Sequence, residues 1–140
     1  MAIVYDWTPA LAVDEANDDS DKTFTVSASQ AWQPISIWVE LTTTSTVGNR
    51  QMCVEFQDAD ADVIAQVVAG AVQAASLSYR YLFAIGVADL STARDTTYLS
   101  TPLPPMILPP GYKIRVYDKA AVAAAADDMN VQMLYEHRSA

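Results

Sequence analysis

From Thr23 almost to the C-terminus the chain is a train of short segments in which apolar and polar residues alternate, separated by turn residues. Ile35, Ile37, Val39 and Leu41 alternate with Ser36, Trp38 and Glu40. Met52, Val54 and Phe56 alternate with Cys53, Glu55 and Gln57, and Tyr79, Tyr81 and Phe83 with Arg80 and Leu82. Ile114 and Val116 are set between Lys113, Arg115 and Tyr117. Met129, Val131, Met133 and Tyr135 close the series. Side chains on a strand point to opposite faces with a period of two, so each segment offers one face to a core. Many such strands make a two-layer structure. The predicted fold is all-β, an antiparallel two-sheet sandwich of jelly-roll type with about eight strands and an extended N-terminal arm.

Two parts follow from the pattern. Residues 1–22 read as an arm: Ile3, Val4, Tyr5 and Trp7 are apolar, and Asp14, Glu15, Asp18, Asp19 and Asp21 then follow. Such an arm packs on its own body or adds a strand to a neighbour. The alternative is a first strand of the same domain. Residues 23–140 read as the sandwich. Its strands are predicted at 23–28, 35–43, 50–57, 63–68, 76–85, 97–101, 112–118 and 129–137, with a bend over 30–34 anchored by Trp32. Pro102, Pro104, Pro105, Pro109 and Pro110 exclude a central strand across 102–110, because proline has no backbone donor. An edge strand or an extended crossing segment fits there, and Pro110-Gly111 then turns into the next strand. Alanine-rich 120–126 predicts one or two helical turns.

A chain of 140 residues suits one domain able to bury a core without disulfides or metal. Its formal net charge is −9, which disfavours phosphate backbones and anionic membranes, so neither a nucleic-acid nor a membrane partner is expected. The single cysteine, Cys53, excludes an intrachain disulfide and reads as a small residue on the second face of its strand. The N-terminus lacks the basic region and apolar run of a secretory signal, so synthesis in a cytosol is expected.

No catalytic constellation emerges, and no enzyme, cofactor or metal is expected. Asp58, Asp60 and Asp62 alternate like the start of a calcium loop, but the sixth-position glycine and twelfth-position glutamate are missing, so a hairpin turn is the reading. Asp18, Asp19, Asp21, Asp127 and Asp128 read as solvated loop residues. A glycosidase dependent on Asp60 or Asp127 is the remotest alternative. His137 is the only histidine and reads as a surface residue. The residues expected to touch a partner are Ile3, Tyr5, Trp7, Trp32 and Trp38. Trp38 stands out of phase with Ile37 and Val39, so it points away from the core, into an intersubunit contact, a ligand surface or the chain's own arm.

Three stretches carry a resemblance: Thr46-Val47-Gly48-Asn49-Arg50-Gln51, Ala69-Gly70-Ala71-Val72-Gln73-Ala74-Ala75-Ser76 leading into Tyr79 and Phe83, and Leu108-Pro109-Pro110-Gly111-Tyr112 continuing through Asp118. From Trp32 through Arg115 the chain resembles small β-sandwich structural proteins of tailed-bacteriophage virions, of the capsid decoration or cement type. The matching motifs are turns and strand starts, so no catalytic residue carries over. The resemblance implies a particle component on the capsid exterior, with the major capsid protein or other virion proteins as partners, and a homo-oligomer, a trimer by preference. Its alternatives are a neck, tail or fibre-attachment component, and a carbohydrate-binding module of host-recognition apparatus.

Overall fold

The computed structural model describes residues 6–14, 21–92, 94–122 and 127–140. Nine strands are described: β1 (Thr8–Asp14), β2 (Lys22–Thr25), β3 (Gln30–Thr42), β4 (Met52–Gln57), β5 (Val63–Val68), β6 (Ser78–Ala84), β7 (Tyr98–Pro102), β8 (Lys113–Asp118) and β9 (Asp128–Ser139). They form a five-stranded sheet in the order β1-β9-β3-β6-β7 and a four-stranded sheet in the order β2-β8-β4-β5.

The pairing is nested. The hairpin β4·β5 is innermost, then come β3·β6, β2·β8 and β1·β9, all antiparallel. One long hairpin wound over two sheets in this way is a jelly roll. The ninth strand, β7, is added beside β6 and runs parallel to it, so the sandwich is not wholly antiparallel as the alternation implied.

The alternating residues meet where the pattern put them. Ile37, Val39 and Leu41 of β3 lie opposite Met133, Val131 and Met129 of β9, and all six are at most 3% exposed. Met52, Val54 and Phe56 of β4, with Ile114 and Val116 of β8, face them from the other sheet. Each such side chain contributes about 1.5–3 kcal/mol on full burial.

Three expectations need correction. Thr8–Asp14, placed in an extended arm, is β1, paired along its length with β9, so the alternative of a first strand describes it. The bend over 30–34 is continuous β3, broken only by a bulge at Ile35. Pro34 sits at that bulge, where the ladder with β6 has ended, so its missing donor leaves no bond unmade. Residues 120–122 are not helical, and 123–126 lie outside the described residues. Among the turns, Pro109 to Tyr112 closes as predicted: Tyr112 N–H donates to Pro109 O at 3.2 Å, and Gly111 takes φ of 83°.

Candidate contact surface

Alternation fixes the outward half of each strand as firmly as the inward half. On the five-stranded sheet Leu11 lies opposite Leu134, and Val13 opposite Gln132. Gln132 faces Trp38, which faces Leu82. Leu11, Val13 and Leu134 are 59%, 50% and 42% exposed, while Trp38 and Leu82 are half-buried. A mainly apolar band, interrupted by Gln132 and Ser36, therefore crosses four strands on the outside of this sheet. Charges of both signs flank it: Glu40 and Arg80 pair at 3.8 Å on one side, and Glu136 and Arg138 lie on the other.

The five expected contact residues divide. Trp38 does point outward; its indole N–H donates to Glu40 Oε1 at 3.2 Å and its ring lies 6.1 Å from that of Tyr98. Trp7 is half-buried beneath the Arg138 guanidinium, 4.7 Å above its ring. Trp32 is 6% exposed, its ring tilted 31° to that of Tyr135 at 4.2 Å, with its indole N–H donating to Gln30 Oε1. It is a core anchor and presents no contact surface on this chain. Ile3 and Tyr5 lie outside the described residues. The sequence reading missed Leu11, Val13 and Leu134, whose signal was the out-of-phase half of β1 and β9.

The outer face of the four-stranded sheet is built differently. Glu55 is 4% exposed and accepts hydrogen bonds from Gln57, Gln66, Arg115 and Tyr117 at 2.6 to 3.3 Å. Burial alone raises a carboxyl's pKa, but these four donors outweigh it and hold Glu55 below the usual range. Arg115 also pairs with Asp21 and lies 3.7 Å over the Tyr117 ring. Burial raises the Tyr117 hydroxyl to about 12, helped by the nearby Cys53 and Glu55. Cys53 is fully buried beside Tyr117, and burial pushes its thiol up, so it is a packed residue.

At one end of the sandwich a second polar set closes the core. Arg50 is fully buried and grips Asp127 with two bonds of 2.8 and 3.1 Å. Its remaining nitrogen donates to Thr46 O and Gly48 O. Asp127 also accepts from Thr44 N–H at 2.7 Å and is 3% exposed, so it is not the solvated loop residue expected from its Asp-Asp doublet. A cleft of about 250 Å³ opens beside this pair, lined by Arg50, Met52, Arg115, Tyr117, Lys119 and Asp127 among others. Its cations are already engaged, by Asp127, by Asp21 and Glu55, and by Gln66. Among the described residues none of these cations is left without a partner.

The Asp58–Asp62 stretch is a turn. The Asp58 carboxylate accepts from the N–H groups of Asp60 and Asp62, both at 2.9 Å, and Asp58 N–H donates to Asp62 O. Among the described residues no cluster of three or more acidic, histidine or cysteine side chains is placed to hold a metal ion. His137 is half-buried on β9, 6.0 Å from Tyr135.

No protein-family model matches the chain, and no curated protein matches it. Among solved structures, the chain is similar to the coat protein of Tobacco streak virus at 8% identity, over 94% of this chain and 88% of that one, with a TM-score of 0.38. It is also similar to a chain in the structure of infectious bursal disease virus, Gx strain, at 10% identity, over 95% of this chain and 37% of that one, with a TM-score of 0.35. Superpositions this loose add nothing to the strand order, which rests on the register itself.

Proposed function

We propose that this protein is a non-enzymatic structural component of a virion, a decoration or cement protein that docks on the outer head shell and reinforces subunit junctions. The observation that carries the reading is the apolar band on the outside of the five-stranded sheet, which marks the chain as a subunit of an assembly rather than as the surface that itself meets the shell. A sandwich that stands alone keeps its outward half polar, whereas this one places Leu11, Val13 and Leu134 in solvent. The phage-like turn and strand-start motifs of 46–51, 69–76 and 108–118 supply the particle context. The acidic charge favours a protein partner over packaged nucleic acid or a membrane. Trp7 and Trp38 are the aromatic contacts, with Ile3 and Tyr5 on the segment before β1.

The test is the copy number of this chain in purified particles, by quantitative mass spectrometry against the major shell subunit. A ratio near that of the shell subunit is expected. A handful of copies moves the protein to the neck, tail or fibres, and absence from particles overturns the virion role. The carbohydrate-binding reading rests on the outward Trp38 alone. It requires glycan-array binding that Trp38→Ala removes. Because β1 belongs to the sandwich, the truncation to use for docking removes only 1–6; a longer one takes a strand out of the fold.

A further inference from the structure

We propose that the outer face of the five-stranded sheet is the interface of a twofold dimer, its occupant the same face of a second copy of this chain. The inference rests on that face alone and holds whether or not the protein is a virion component.

Electrostatics select the occupant. The chain carries a net charge of −9, so most of its surface repels another copy. This face is the exception. Its outward charged side chains are Glu40, Glu136 and Asp128 against Arg80 and Arg138, which nearly cancel. Of the other described acids, those of the Asp58–Asp62 turn, Asp21, Glu55, Asp118 and Asp127 lie away from this face, and Asp95 sits beside Arg80 at its edge. Glu40 and Arg80 already pair within one chain and sit at the edge of the band, where a facing copy offers the same two signs. An apolar centre with a mixed, neutral rim is self-complementary, which an isologous interface requires.

Size limits the affinity, and shape agrees. Five strands at about 4.8 Å spacing and some seven residues at about 3.3 Å give a face roughly 24 Å by 23 Å. That is about 550 Å² for the whole face before side-chain relief, below the roughly 800 Å² per partner of a standard interface, so a dimer of modest affinity is expected. Sheets pack face to face at about 10 Å when apolar side chains interdigitate, and Leu11, Leu134, Trp38 and Leu82 supply such a layer. Buried tryptophan at the centre of a patch is a common anchor of binding energy.

Sedimentation velocity on the purified full chain, from about 1 to about 100 µM, tests the proposal. The wild type is expected to sediment as a dimer at the upper end. Leu134→Glu and Leu11→Glu each put a carboxylate into the apolar band of both copies, and each is expected to raise the dissociation constant about a hundredfold or more with an unchanged far-ultraviolet circular dichroism spectrum. Val63→Glu, at an exposed site on β5 of the other sheet, is expected to leave the dimer intact. A wild-type monomer throughout the range overturns the proposal. So does a trimer, which a face-to-face pair does not build, or a dimer broken by Val63→Glu and spared by Leu134→Glu. A monomer that pairs only after 1–5 are removed assigns the band to the chain's own first residues and equally overturns it. Particle copy number is a separate readout, so the virion reading and this one fail independently.

Discussion

The two sheets of this sandwich bury the same kind of inner face and present opposite outer ones. On the four-stranded sheet Glu55, Gln57, Gln66, Arg115 and Tyr117 of β4, β5 and β8 form one bonded network over a buried Cys53, with only Val63 and Ile64 at the start of β5 left as exposed large apolar side chains among its strands. On the five-stranded sheet the corresponding rows hold leucine, valine and tryptophan in contact with solvent, with Gln132 and Ser36 the polar residues between them. A buried polar group is costly unless its bonds are made, so the first face is finished within one chain. An exposed apolar band has nothing left to satisfy except another surface. The difference separates residues that hold the fold from residues that assemble it.

The contrast breaks hardest at the polar end. Arg50→Ala leaves Asp127 charged, buried and stripped of two bonds, and is expected to cost about 3–5 kcal/mol in urea unfolding. Glu55→Ala orphans donors on three strands. Arg115 is partly exposed and keeps Asp21, so the expected loss is smaller, about 1–3 kcal/mol, with no change in oligomeric state.

The same network sets a pH dependence. The folded Glu55 carboxyl lies below its ordinary value of 4.5, so its contribution is complete above that pH and is lost as pH falls through the lower folded value. Urea midpoints are expected to fall in that acid window, and Glu55→Gln to flatten the slope. The smallest effect on folding is expected on the other face. Trp38→Ala removes a half-buried outward ring and is expected to shift monomer stability by about 1 kcal/mol or less, while weakening self-association at least tenfold. A large loss of stability at Trp38 together with a neutral Glu55→Ala inverts the comparison.

Much of this fold was legible because alternation needs no knowledge of partners. Ile37, Val39, Leu41, Val131 and Met133 declared their faces, and Val63–Val68 was bounded as observed. The strand β1 was not legible: its inward residues are Ala10 and Ala12, its larger Leu11 and Val13 point out, and Pro9 opens it beside an acidic stretch. The parallel seating of β7 depends on where the 85–97 loop sends the chain, and periodicity carries no direction. Asp127 was misread because its partner Arg50 is 77 residues away. Trp38 was legible as outward, but the band around it emerges only once the register sets Leu11 beside Leu134 and Trp38 beside Leu82. Trp32 reads both as the anchor of a bend and as a partner contact, and only the register, which sets Leu108 and Tyr135 against it, decides for the anchor.

The central claim is that the outside of the five-stranded sheet is an assembly surface. Hydroxyl-radical footprinting of the intact protein at low and high concentration tests it most directly, with modification read residue by residue. The account predicts concentration-dependent protection of Trp38, Leu11 and Leu134, with Val63 and Ile64 on β5 unchanged. Equal modification of Trp38, Leu11 and Leu134 at both concentrations, or protection confined to β5, contradicts it.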